Sequence, residues 1–276
     1  MQNFDKWLTW AKPKAEQGLL VAASVEQEWM LPWWWYNYSL HNQYPVSFVD
    51  FGLSEKGKEW CREKGELISC LDIPDSFVAQ EAQITRPLLK KWKKNFGACP
   101  SFRKFWFKKP LAMLRSPYQK TIWLDLDCEI RCSLNPLFKK LLKTDKTEKN
   151  KKTEIGLCRV STVVQKNHRQ LKLLKSKELV YNSGLILFFN GSSIIHEWAL
   201  RALDSSHLFF GDQDLLSYLI FKHKYQVLDL PEIYNWLHYQ TYNPEVKILH
   251  YGGTIGKDLI HKKMKKLSQV AFVDFS

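Results

Sequence analysis

Thr121-Ile122-Trp123-Leu124-Asp125-Leu126-Asp127-Cys128-Glu129-Ile130 is the stretch from which the fold is read. Four apolar or β-branched residues run into a carboxylate, a spacer and a second carboxylate, the pattern of a buried strand ending in a charged turn. Side chains alternate along a strand, so Asp125 and Asp127 are expected on one face, converging on one cation. A hard divalent ion, Mg²⁺ or Mn²⁺, would relieve their repulsion and keep positions open for phosphate oxygens. The plainer alternative is an acidic turn in which Asp127 caps the following element.

Working outward, strand and helix patterns alternate. Leu19-Leu20-Val21-Ala22-Ala23-Ser24 is an apolar run ending in small residues, a central parallel strand opening onto a loop that a ligand can approach. A helix is expected over Glu26 to Asn42, with Pro32 in its first turn and Trp33-Trp34-Trp35 serving packing rather than a binding platform. Further strands are expected at Pro45 to Gly52, Glu66 to Leu71, Glu154 to Val160, Leu179 to Asn190 and Val246 to His250. Between them Ser54 caps a helix through Trp60, Ser192 to Leu203 is helical, and Asp212-Gln213-Asp214 opens another helix. Such alternation gives parallel βαβ units, whose ligands sit beyond the carboxyl ends of the strands. Asp125 lies at one such end, and the mainly parallel sheet flanked by helices is expected to form one α/β domain over residues 1–276.

The composition narrows the partners. A net charge of +13, from 41 Lys and Arg against 28 Asp and Glu, favours anions: nucleic acid, acidic lipid or sugar nucleotides. The basic, aromatic-rich stretches Ile84 to Phe96 and Phe102 to Arg115 fit either a nucleic-acid surface or a solvated helix face, and Lys108 or Lys109 could reach a nucleotide phosphate. Lys139 to Lys152 reads as a helix end and a solvated loop. None of the six cysteines forms a CxxC pair, so neither zinc nor a disulfide framework is expected. Met1 to Trp10 has no secretory pattern and no apolar run reaches membrane-span length, from which a cytoplasmic protein with peripheral contact to anionic membrane is expected.

Taken in order, these segments resemble the nucleotide-sugar glycosyltransferases of the GT-A (Rossmann-like) fold, and most of all glycosyltransferase family 8. Val21-Ala22-Ala23 is similar to that family's first strand, Trp123 to Asp127 to its DxD strand, Asn182-Ser183-Gly184 to its NSG segment and Asp212-Gln213-Asp214 to its DQD segment. His250-Tyr251-Gly252-Gly253 with Lys257 resembles its C-terminal HxxG…K segment, here part of a closing segment over 250–276. Where the family often has an Asp after its first strand, this chain has Ser24 and Glu26.

The resemblance implies a metal-dependent hexosyltransferase with a nucleotide-sugar donor, a UDP-sugar foremost, and a glycan, lipid or protein acceptor. It implies Asp125, Asp127 and His250 as ligands of Mn²⁺ or Mg²⁺, and Asp212 and Gln213 as catalytic residues. Ala22, Ala23, Ser24, Lys109, Asp125, Asn182, Ser183, Gly253 and Lys257 are implied to bind the donor. Retention of anomeric configuration is the implied outcome. Two rivals are a haloacid-dehalogenase-like phosphatase with Asp125 as nucleophile and a basic nucleic-acid-binding module.

Overall fold

The computed structural model describes residues 4–96, 101–143, 153–170 and 178–271. Its strands are β1 (Ala15–Ala23), β2 (Val46–Asp50), β3 (Glu66–Ser69), β4 (Tyr118–Leu124), β5 (Cys128–Ile130), β6 (Ile155–Arg159), β7 (Tyr181–Phe189), β8 (Val227–Leu230), β9 (Trp236–Leu237) and β10 (Ile248–His250). Its α-helices are α1 (Leu31–Ser39), α2 (Glu55–Lys64), α3 (Arg86–Phe96), α4 (Arg103–Met113), α5 (Asn135–Lys143), α6 (Thr162–Gln170), α7 (Ser193–Ser205), α8 (Asp212–His223) and α9 (Gly253–Ala271).

Seven strands form one sheet in the order β3-β2-β1-β4-β7-β6-β8, and a small second sheet has the order β5-β10-β9. Strands β3, β2, β1 and β4 are parallel neighbours, whereas β7 runs antiparallel to both β4 and β6. The expectation of a mainly parallel sheet between helices is met. β4 shows why its apolar run is a strand buried on both faces: Ile122 and Leu124 pack into one core with Trp33, Trp34 and Phe48, and Trp123 into another with Phe107, Leu111 and Trp198.

Local chemistry sets the helix ends. Ser54 caps α2 by accepting the Gly57 N–H at 3.0 Å, and Glu28 in turn holds the Ser54 hydroxyl at 2.6 Å. The helix expected from Glu26 is shorter, because a 3₁₀ turn at Glu28–Met30 precedes α1. Trp33 and Trp34 are buried and Trp35 stands edge-on to Trp60, so the tryptophan triplet serves packing.

The basic stretch on α4 differs from both surface readings. Arg103 is buried and donates to the carbonyls of Ala79, Ser206, Phe209 and Phe210, which ties α4 to the α7–α8 connection. Lys108 and Lys109 are buried too, so these cations form neither a solvated face nor a nucleic-acid surface. Five cysteines, Cys61, Cys70, Cys128, Cys132 and Cys158, are free thiols. Cys99, most of the Lys139 to Lys152 run and the end of the 250–276 segment lie outside the described residues. Among the described residues no helix is long and apolar enough to cross a membrane.

Candidate active site

The carboxyl ends of β1 and β4 meet the start of β7 and the end of β10. β4 stops at Leu124, and the backbone then turns: the Asp125 N–H donates to the Gly184 carbonyl at 2.8 Å and the Cys128 N–H to the Asp125 carbonyl at 3.1 Å. The strand alternation expected to carry Asp125 and Asp127 onto one face therefore ends before it reaches them. The two carboxylates have separate partners.

Asp125 faces α4. Its Oδ1 accepts the indole N–H of Trp123 at 2.7 Å and lies 3.0 Å from Lys109 Nζ. The same Nζ is 3.1 Å from Asp212 Oδ2, the N-terminal residue of α8, and donates to the Ser183 carbonyl at 3.1 Å. Ser183 Oγ donates to Asp212 Oδ2 at 3.0 Å. Burial opposes the charge on Lys109, but Asp125 and Asp212 together outweigh it and raise its pKa. Two carboxylates share this one cation, so burial and repulsion from Asp125 still leave the Asp212 carboxyl above its usual range, despite the counter-pull of Lys109.

Asp127 faces β10 and α9. Its Oδ1 is 3.2 Å from His250 Nε2, and its Oδ2 is 3.5 Å from Lys257 Nζ. Burial opposes ionisation, yet His250 and Lys257 hold the carboxyl down to about 2. His250, although buried, has its pKa raised by the Asp127 charge. The other ring nitrogen, Nδ1, lies 2.9 Å from Asn235 Oδ1, and the Asn235 amide donates to Asn182 Oδ1 at 2.7 Å. Asn182 Oδ1 also accepts the Gly184 N–H at 2.8 Å.

The remaining expected residues fall around this centre. Ala23 ends β1 and Ser24 follows it, both buried, and Ser24 Oγ donates to Glu26 Oε2 at 2.5 Å. Ala22 and Gln213 are half-buried, Gln213 on the first turn of α8. Gly253 starts α9 with a φ of +78°, a conformation that favours glycine. Asn235 and Trp123 escaped the sequence reading as site residues. Asn235 sits in a short turn without periodicity, and Trp123 looks like an ordinary core residue until its indole N–H is followed.

Among the described residues one group could hold a metal: Asp127, Cys128 and His250, whose ligand atoms lie within 4.8 Å of one another. Asp125 stays outside it. Burial pushes the Cys128 thiol up and its Sγ faces the Gly184 carbonyl, and a soft sulfur donor is a poor match for a hard ion. Asp127 and His250 supply the oxygen and imidazole donors that suit Mn²⁺, and their 3.2 Å separation is close to that of adjacent ligands around such an ion. Asp127 and His250 fit a divalent cation, while Asp125 lies outside that group and faces Lys109.

No family model matches the chain, and no curated protein sequence matches it significantly. Solved structures do. The galactosyltransferase LgtC in complex with donor and acceptor sugar analogues aligns with a TM-score of 0.55 at 16% identity, over 86% of this chain and 87% of that one. Mouse xyloside xylosyltransferase 1 aligns with a TM-score of 0.54 at 16% identity, over 86% and 98%. The bifunctional glycosyltransferase WbbM aligns with a TM-score of 0.56 at 14% identity, over 89% of this chain but 47% of that one. The fold is thus the GT-A fold.

Proposed function

We propose that this chain is a divalent-metal-dependent glycosyltransferase that moves a hexose from a nucleotide sugar, a UDP-sugar foremost, to an acceptor hydroxyl with retention of configuration. The observation that carries this reading is the meeting of Asp127, His250 and Lys257 at the carboxyl end of β4 on a GT-A fold. Asp127 and His250 would hold Mn²⁺ or Mg²⁺, which when bound neutralises the leaving diphosphate. Lys257, on the first turns of α9, adds a positive charge beside the same carboxylate and would bind a phosphate oxygen. Ala22, Ala23 and Ser24 would line the nucleotide, with Gly253 letting the backbone approach it.

Asn182, Ser183, Asp212 and Gln213 would orient the sugar. Asp212 is tied to Lys109 and Ser183, so it is held in place and poorly free to attack carbon. That disfavours a double displacement through Asp212 and favours a same-face reaction, in which the departing phosphate oxygen takes the acceptor's proton. Asp212 would then stabilise positive charge developing at the anomeric carbon. The phosphatase reading needs Asp125 as a free nucleophile, whereas both of its oxygens face Lys109 and one also accepts from Trp123.

Thermal shift against a panel of sugar nucleotides with Mn²⁺ tests the donor class, and turnover should vanish with EDTA. NMR of the first-formed product from an α-linked donor reads the stereochemistry; a β-linkage overturns retention. Salt-sensitive binding to acidic but not neutral liposomes is the matching test of peripheral membrane contact for a chain of net charge +13.

A further inference from the structure

The hydrogen bonds behind His250 run in one direction only. The Gly184 N–H is a donor and nothing else, so the Asn182 atom it meets at 2.8 Å is the carbonyl oxygen. That oxygen accepts a second bond at 2.7 Å, which must come from the amide nitrogen of Asn235. The Asn235 oxygen is thereby turned toward His250 Nδ1 at 2.9 Å, and an oxygen there can only accept. Nδ1 must therefore carry a hydrogen.

The opposite edge of the ring follows from this. With the hydrogen fixed on Nδ1, the neutral ring has its lone pair on Nε2, 3.2 Å from Asp127 Oδ1. The gap between these two atoms takes one cation, the proton of an imidazolium or a metal ion. The ring is held in this orientation against Gly184, where a Cβ would fall 2.6 Å from Nδ1 and closer still to Cε1. Asn235 itself is 3% exposed, so water has little access to take over its bond.

We propose that Asn235 is a positioning residue that fixes His250 as its Nδ1–H tautomer, leaving Nε2 as the lone pair presented beside Asp127 to a divalent cation. Asn182 and the Gly184 N–H set the direction of the Asn235 amide, so a backbone group of β7 determines which nitrogen of a β10 histidine is open. The cation part rests on the metal-dependent reading above; the tautomer part does not. An orienting hydrogen bond on the far nitrogen of a ligating histidine typically changes metal affinity 10- to 100-fold.

The experiment is long-range ¹H–¹⁵N NMR of the metal-free protein with a neutral His250 ring, paired with Mn²⁺ binding followed by EPR. Wild type is expected to show the hydrogen on Nδ1. Asn235→Leu, similar in size but without an acceptor, should shift the ring toward Nε2–H and weaken Mn²⁺ binding about 10- to 100-fold. Asn235→Asp keeps an acceptor at Nδ1 and should keep the Nδ1–H tautomer, although it loses the bond donated to Asn182 Oδ1. Nε2–H in wild type overturns the proposal, as does unchanged Mn²⁺ affinity and tautomer in a folded Asn235→Leu protein. Should Asn235→Leu fail to fold, the wild-type spectrum and Asn235→Asp still decide. A wild-type protein with the Nδ1–H ring that binds no Mn²⁺ would remove the metal reading and leave the tautomer assignment standing.

Discussion

Gly184 lies against the imidazole of His250, close enough that a Cβ would meet Cε1, Nδ1 and the Asn182 side-chain oxygen at once. It is a glycine for space and not for backbone freedom, since it is absent from the positive-φ glycines Gly52, Gly191 and Gly253. Its carbonyl also receives the Asp125 N–H, so one residue sets both the acidic turn and the histidine ring. Gly184→Ala should push the ring off Asp127, destabilise the fold by about 1–3 kcal/mol and weaken Mn²⁺ binding. Thermal melts with and without Mn²⁺ check it; a variant that melts and binds like wild type would show that the ring yields freely.

The two carboxylates of the acidic turn should behave differently. Asp127 faces His250 and Lys257, whereas Asp125 faces Lys109 and Trp123. In the absence of nucleotide, Asp127→Asn is expected to abolish Mn²⁺ binding and Asp125→Asn to weaken it far less. EPR titration of both variants is the measurement. Equal loss in both would mean that the ion draws Asp125 away from Lys109 when it binds.

Much of the fold was legible because strands buried on both faces must be apolar along their whole length, as Leu19–Val21 and Ile122–Leu124 are. Where the chain turns, that logic stops. Alternation placed Asp125 and Asp127 together, but β4 ends one residue earlier and backbone bonds to Gly184 and Cys128 redirect them. Lys109 stood in a run of cations and aromatics that reads as surface; its burial depends on Asp125 and Asp212, and the latter arrives from a distant part of the chain. Asn235 carries neither charge nor periodicity, and only the direction of its hydrogen bonds gives it a role.

Asp214 gives a pH test. Burial lifts its carboxyl to about 6, with the Gly211 N–H opposing and Asp212 adding to the rise. A carboxyl whose folded pKa is raised makes its full contribution to stability below the unfolded value near 4 and loses it as pH climbs through about 6. Asp214→Asn keeps an oxygen for the Gly211 N–H and removes the ionisation. Relative to the variant, wild type should lose stability between about pH 4 and 6, so that at pH 7 the variant melts at the same temperature or a few degrees higher. Melting curves across that range decide it, and parallel curves for the two proteins would contradict the assignment.

Lys109 separates two accounts of one residue. If it served mainly to hold a donor phosphate, Lys109→Met would weaken donor binding and leave the folded protein about as stable as before. Its Nζ instead lies 3.0 Å from Asp125 and 3.1 Å from Asp212, buried, with Ser183 completing its hydrogen bonds. Removing that cation leaves two carboxylates together in a site with little water, and breaking a buried pair in this way typically costs about 3–5 kcal/mol. Lys109→Met is therefore expected to destabilise strongly in urea at an unchanged m-value. Lys109→Met combined with Asp212→Asn should recover part of the loss, because only one carboxylate then remains charged. A loss below about 1 kcal/mol in the single variant, or no recovery in the double, would return Lys109 to the phosphate role and imply that Asp125 and Asp212 find other partners.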